Sequence, residues 1–333
     1  MDTKTWCRYV DSARLAPSKH NAQPWWFELS RDESSVEVYA DGARAMPSSD
    51  PLGRELVIGC GAALYNLCLA IRHDGREPVV TAFPAGARVS VVARVALGGA
   101  HRVTDEERRL FASIPLRHTN RNPLDRAGLD ADVPFRLQDA ALAEGATLHL
   151  VATEGSRQAV RDLLVHADNA SARDPGFEAE LREWIRPPGA VAADGIPATA
   201  VGGGAAAAYR ASFVQRDFDV HGARPSGRAY APGDRDDPLV GVLWTDGDRR
   251  VDWLRAGLAL EAVLLTVTAY GGAASLLNQP VEIPALRTAL RTELALPGHP
   301  QAVVRAGVGA PVPPTPRRPV EDVVSEGVLT QPV

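Results

Sequence analysis

Apolar residues recur at three- and four-residue spacing in two long stretches of this chain, and those stretches predict its two main buried helices. In Arg54 to His73 the positions are Leu56, Val57, Gly61, Leu64, Leu67, Cys68 and Ile71, with Gly75 as a stop. The other stretch runs from Asp252 to Tyr270. A shorter helix over Thr5 to Leu15 places Trp6, Tyr9, Val10 and Ala13 on one face and is stopped by Pro17. Helices are also expected from Arg157 to about Ala170, over Arg173 to Pro188, and over Pro284 to Leu294, the last with proline in its first turn. Thr104 and Glu107 form a capping box ahead of a further short helix. Strands are predicted at Trp25 to Leu29 and Val36 to Tyr39, which pair as a hairpin, and at Ser90 to Leu97, Thr147 to Ala152, Leu239 to Thr245 and Ala302 to Val308. Gly189 to Ala208 has no periodicity and reads as a long loop or flap.

The two long helices align with each other at an offset of 196 residues. Gly61, Ala63, Leu64, Leu67, Cys68, Leu69, Ile71 and Gly75 then face Gly257, Ala259, Leu260, Val263, Leu264, Leu265, Val267 and Gly271. Both helices lead into strands. Two buried helices can resemble each other by composition alone; a true repeat makes the chain a fused pair of related lobes, the covalent counterpart of a two-fold dimer.

Composition narrows the function classes. With 333 residues, 45% hydrophobic and 23% charged, the chain has the make-up of a soluble globular protein large enough for one big domain or two lobes. A net charge of -5 argues against a nucleic-acid partner, which needs a basic footprint. Cys7, Cys60 and Cys68 show no paired spacing and read as thiols of a reducing cytoplasm, and the first residues lack the pattern of a signal peptide. The apolar segment Gly257 to Tyr270 is broken by Glu261 and is too short to span a bilayer, so no membrane partner is expected. The eight histidines make no metal-ligand spacing. Gly307 to Gly309 follows a strand, but Pro311, Pro313 and Pro314 forbid the helix a dinucleotide fingerprint must open. No nucleophile or acid/base pair is visible, so no catalytic side chain is assigned and the chemistry is expected to belong to a cofactor.

Four stretches could hold one. APSKHNAQPWW packs Pro17, Ser18, Asn21 and Gln23 into a turn ahead of Trp25 and Trp26, offering amides and aromatic surface to a flat ring with a polar edge. RHTNR sets Arg117, Thr119 and Arg121 together. A helical turn there would put both guanidinium forks on one face, suited to a phosphate dianion, although a solvated basic turn has the same pattern. PPTPRRP holds Arg317 and Arg318 on a proline-stiffened arm able to reach another lobe, or ends the chain as a polar terminus. ASLLNQP, from Ala274 to Pro280, is expected to expose Ser275, Asn278 and Gln279 beside Leu276 and Leu277, or simply to turn before Pro280.

Taken together these motifs closely resemble the nitroreductase superfamily. APSKHNAQPW is similar to its APSxxNxQPW turn, and Arg54 to Ala63, RHTNR, LNQP and PPTPRRPVED extend the likeness to the Acg-type branch of nitroreductase-like flavoproteins. The resemblance implies an α+β fold binding FMN, as a fused pseudo-dimer in one chain: a first lobe over 1–115, and a second over 116–333 with a lid insertion at about 186–208 and a C-terminal arm on the flavin phosphate. A monomer is then possible. Arg117, Thr119 and Arg121 correspond to the family's phosphate motif, Arg317 to its last phosphate arginine, and Arg318 to the position beside it. Pro17, Ser18, Asn21 and Gln23 correspond to the turn that lines the isoalloxazine from the opposite lobe, and Leu276 and Leu277 fall near the loop facing flavin N5. The family's usual glutamate-glycine contact at that loop is replaced by Ser275, Leu276 and Leu277. The implied activity is cytoplasmic hydride transfer from NAD(P)H or a substrate to an electron-poor small molecule. The alternatives are flavin sequestration under a closed lid and a specialised biosynthetic flavin dehydrogenase.

Overall fold

A computed structural model describes residues 2–86, 90–187, 189–197, 200, 213, 216, 218 and 236–326. Helix α1 (Thr3–Ala13) buries Trp6, Tyr9, Val10 and Ala13, the face its spacing predicts, and the Asp2 carboxylate caps it by accepting from the Thr5 N–H. There follow β1 (Trp25–Leu29), β2 (Ser35–Ala40), α2 (Arg54–His73), β3 (Arg76–Ala82), β4 (Val91–Ala100) and α3 (Asp105–Ser113). The capping box at α3 forms in both directions between Thr104 and Glu107. The chain continues through α4 (Val133–Ala143), β5 (Thr147–Leu150), α5 (Glu154–Ser171) and α6 (Pro175–Trp184), then the short strands β6 (Ile185–Arg186) and β7 (Ile196–Pro197). It ends with β8 (Leu239–Thr245), α7 (Arg250–Ala269), β9 (Ala273–Leu276), α8 (Gln279–Glu282), α9 (Pro284–Glu293), β10 (His299–Gly307) and β11 (Val324–Glu326).

These elements make an α+β architecture of two larger sheets on either side of a central helix pair, and β6 and β7 form a separate two-stranded sheet. One sheet has the order β11-β1-β2-β4-β3 and the other β5-β8-β10-β9. Leaving β11 aside, both follow the order first-second-fourth-third, with a long buried helix between the second and third strands. Strand β11 adds in parallel to β1, with Phe27 opposite Val324, so residues 324–326 join the sheet built from the first hundred residues.

The two long helices cross where the repeat places its glycines. A Cβ on Gly61 would fall 2.9 Å from the Gly257 Cα and overlap the Leu254 carbonyl oxygen. A Cβ on Gly257 would fall 2.7 Å from the Gly61 Cα and overlap the Ile58 carbonyl oxygen. The contact is reciprocal, because the same 196-residue offset relates Ile58 to Leu254. Only glycine lets the backbones approach this closely, and the crossing sits inside one continuous core drawn from both sheets. Helix α2 is long and apolar enough to cross a membrane by length and composition, but here 83% of that window is buried against the rest of the protein.

Two sequence expectations change. Ala274 to Pro280 is not an exposed turn. Pairing with β10 makes Ala273–Leu276 a strand, Ser275 is buried with its hydroxyl accepting from Arg305 Nε at 2.6 Å, and Gln279 is buried at the start of α8. RHTNR is extended rather than helical, because Thr119 bridges Ala274 of β9 and the Asn120 N–H donates to the Ala274 carbonyl at 2.8 Å.

Candidate functional site

The turn after α1 is built from unusual backbone. His20, Asn21 and Gln23 have φ of 48°, 57° and 52°, three non-glycine residues in the left-handed region within four positions. Such conformations cost free energy and persist where the surroundings over-determine them. Here the Gln23 N–H donates to the Ser18 hydroxyl at 2.8 Å, and Gly59 of α2 lets Pro24 and Ser18 pack at 3.4 Å from where a Cβ would lie. The amides then pin the turn to distant chain. Asn21 Nδ2 donates to the carbonyls of Gly195 and Pro316 at 2.9 and 3.0 Å, and Gln23 Nε2 donates to Ala193 at 2.8 Å. Gln23 Oε1 accepts from the Arg318 N–H at 2.8 Å.

Behind this turn lies a cavity with about 850 Å³ of empty space, counting its open mouth. Pro17 and Ser18 form one wall, Ile58 and Gly59 of α2 the floor, and Thr119, Arg121 and Leu276 the far side. The extended form of RHTNR explains part of this. Alternate residues of an extended segment share a side, so Thr119 and Arg121 face the cavity together. Asn21, Gln23, Arg117, Leu277, Arg317 and Arg318 do not line it. Leu277 is fully buried in the second core cluster, its N–H donating to the Val303 carbonyl at 2.8 Å.

Arg117 and Arg317 meet elsewhere, at the end of α1. Arg117 Nη2 and Arg317 Nη2 both donate to the Leu15 carbonyl, at 3.0 and 3.3 Å. Residues 200 apart in sequence thus share one acceptor. Arg317 Nη1 also donates to the Asn21 side-chain oxygen at 2.8 Å, which ties the turn to the arm. The Nε atoms of both arginines are buried and close no hydrogen bond among the described residues. Burial and the neighbouring Arg117 push the Arg317 guanidinium down to about 9, and burial, Arg117 and Arg317 together push His118 down to about 4. Arg317 is therefore cationic at neutral pH beside a neutral histidine, and two guanidinium groups converging on one acceptor suit an anion.

A second group of charges borders the cavity, and sequence reasoning did not find it. Lys19 Nζ lies 2.6 Å from Glu55 Oε2 and 3.2 Å from Glu282 Oε1, Arg216 pairs with Glu282, and Asn278 Nδ2 donates to Glu55 Oε1 at 3.0 Å. Burial opposes ionisation of Glu282, but Arg216 and Lys19 outweigh it and hold the carboxyl well below the usual range. Lys19 is raised because Glu282 and Glu55 outweigh its burial. Burial, with Arg216 and Lys19 beside it, drives His20 well below its ordinary value. Lys19 and His20 sit inside the conspicuous turn and Glu55 inside the strongest helix; that they converge with Glu282 depends on three elements meeting. Buried Arg305 is a further positioning residue. Its Nη2 donates to the Asn122 carbonyl at 2.9 Å, and its Nη1 is 3.2 Å from Asp236, which fixes the segment after RHTNR to β10.

Fold and site define an α+β protein with two larger sheets, a cavity lined by residues of α2, α7 and β9, and a buried arginine pair near it. No family model matches the chain. "Uncharacterized protein Rv3127" of Mycobacterium tuberculosis is 33% identical over 320 residues, covering 93% of this chain and 89% of that protein. "Putative NAD(P)H nitroreductase acg" of the same organism is 32% identical over 320 residues, 94% of this chain and 93% of that one. The crystal structure of an FMN-bound nitroreductase from Bacteroides fragilis matches with a TM-score of 0.36 at 17% identity, over 60% of this chain and 88% of that one. The chain belongs to the Acg-type family of nitroreductase-like proteins.

Proposed function

We propose that the chain is an FMN-dependent oxidoreductase of the nitroreductase superfamily, with two fused lobes, 1–115 and 116–333, around one flavin site. The observation that carries this reading is the meeting of Arg117 and Arg317 at one carbonyl, with both buried Nε atoms unbonded, at the end of an extended run whose Thr119 and Arg121 line the cavity. Unspent buried donors on two guanidinium groups fit a phosphate dianion. The shared strand order and the reciprocal glycine contact support two related lobes.

FMN bound there would supply hydride transfer through N5, from NAD(P)H or a reduced substrate to an electron-poor acceptor such as a nitro group or quinone. The residues divide the work of holding it. Arg117, Thr119 and Arg317 take the phosphate, Arg121 places positive charge in the cavity, and Pro17, Ser18 and Leu276 supply its walls. Asn21 and Gln23 hold the turn against the arm and Arg318 fastens the arm to Gln23, while Leu277 anchors β9 behind Leu276. The purified protein should show a flavin absorbance spectrum that bleaches on anaerobic addition of NADPH or NADH; a colourless protein that takes up no FMN would contradict the reading.

One observation favours a second reading, flavin retention with slow turnover. The lid at about 186–208 is described only at 186–187, 189–197 and 200; its other residues lie outside the described residues. The described part fastens over the site, with Gly195 and Ala193 bonded to Asn21 and Gln23, and the Ala200 carbonyl accepting from Arg121 at 3.0 Å. Rapid flavin reduction by NADPH in a stopped-flow trace would contradict a closed lid.

A further inference from the structure

Buried polar atoms normally find partners, and a cluster that does not points to something the fold is prepared to exchange with. Around the face of α7 that meets α2, seven such atoms close no well-formed hydrogen bond among the described residues: both Glu261 oxygens, both atoms of the Asn66 amide whose contact helps hold the Glu261 carboxyl down, Arg117 Nε, His118 Nδ1 and Arg317 Nε. Glu261 is fully buried, and its Oε1 stands 3.5 Å from Arg117 Nε, a contact of charges without a formed hydrogen bond. Arg117 spends Nη2 on the Leu15 carbonyl instead.

We propose that Glu261 is the proton-linked counter-ion of the Arg117 and Arg317 site, taking up one proton when a phosphate dianion binds. The identity of the anion rests on the FMN reading above. The charge balance decides the direction. Arg117 and Arg317 contribute two positive charges, and His118 is neutral. An ionised Glu261 leaves one net positive charge, so a dianion would bury a net negative charge; a protonated Glu261 lets the same dianion close the balance at zero. Burial pushes Glu261 up to about 7, against Arg117, and a nearby dianion raises it further.

The groups that face Glu261 from each packed element leave the interval between pH 6.5 and 8.5 to it. Asn66 on α2 does not titrate, and burial raises the Tyr65 phenol on the same helix well above that interval. His118 on the arginine run is neutral throughout, and Arg317 on the arm, pushed down to about 9, keeps most of its charge across the interval, so that any fall it contributes near pH 8.5 would survive in Glu261→Gln. Arg14, near Arg317 at the end of α1, pairs with Asp11 at 2.5 Å. A phosphate monoester, with its second ionisation near pH 6, is mostly dianionic across the same interval.

The test uses the full chain stripped of any flavin, with FMN as probe and riboflavin as the phosphate-free control, both followed by quenching of flavin fluorescence. FMN affinity should be steady near pH 6.5 and fall above about pH 7, by up to tenfold per pH unit, which is the limit for one linked proton. Riboflavin affinity should stay flat. Glu261→Gln should flatten the FMN profile and bind FMN at least tenfold tighter than the parent at pH 8.5. Calorimetry of the unaltered protein at pH 7.5, in buffers of different ionisation enthalpy, should report uptake approaching one proton, and it decides the matter should Glu261→Gln fail to fold. Tight FMN binding without proton uptake overturns the link and leaves the FMN reading standing. Absence of FMN binding at every pH overturns the FMN reading and the link with it.

Discussion

Two buried charge clusters lie on opposite sides of the same turn, and they are finished to different degrees. Around Lys19, three cations, Lys19, Arg54 and Arg216, meet two carboxylates, with Asn278 donating to Glu55 as well, so each charge faces an opposite one, although Arg216 Nη1 closes no hydrogen bond among the described residues. Around Arg117, two cations meet a single carboxylate whose other neighbour is the Asn66 amide, and the Nε atoms of both arginines are left over. Burial weighs on both, but Glu282 ends well below the usual carboxylate range and Glu261 ends near 7. The Lys19 cluster, with both carboxylates held by cations, is a structural clasp between the turn, α2 and α8. The Arg117 cluster, with two cations to one carboxylate, is the one proposed above to await an anion.

That contrast can be broken by substitution, and the clasp should give the largest effect. Glu282→Gln strands Lys19 and Arg216 in part, and breaking one side of a buried pair costs about 3–5 kcal/mol, read as a lower melting temperature or denaturation midpoint. The sign with pH follows from a depressed carboxyl. Its stabilisation is fully present above the unfolded value near 4.5 and is lost as pH falls through the folded value, so parent and variant should converge in acid. Next comes Arg317→Ala, which should weaken FMN by about 100-fold, the scale of a charge-assisted contact worth about 3 kcal/mol, while leaving riboflavin within threefold. Arg117→Lys should cost about tenfold in FMN affinity, because an ammonium keeps the charge but not the fork. Smallest should be Asn21→Ala, which removes one acceptor from Arg317 and should cost about threefold to tenfold in FMN affinity, with equal losses for riboflavin only if the turn itself collapses.

Much of the framework was legible because periodicity and punctuation are local. The spacing of Leu64, Leu67 and Ile71 predicts α2, Thr104 and Glu107 predict the start of α3, and the 196-residue offset pairs the two glycines that the helix crossing brings together. The arginine motifs were legible as chemistry but not as geometry. Whether Arg117 and Arg121 share a face depends on the pairing of Thr119 with Ala274, which no window around residue 117 contains. Ser275 likewise reads as an exposed turn residue until β10 supplies the partner strand and Arg305 the hydrogen bond. Glu261 carried a usable signal, since a lone carboxylate in the apolar stretch Gly257 to Tyr270 demands a partner. What the sequence withheld was which side of α7 would meet Arg117. Lys19, Glu55 and Glu282 carried no comparable signal, because each is an ordinary charge beside helix or turn residues until three elements converge.

The central claim is that Arg117 and Arg317 hold the phosphate of a flavin whose ring occupies the neighbouring cavity. Side-by-side titration of the flavin-free protein with FMN and riboflavin at pH 6.5 tests it most directly. FMN is expected to bind at least 100-fold tighter than riboflavin; equal affinities would show that the arginine pair does not read the phosphate and would contradict the account.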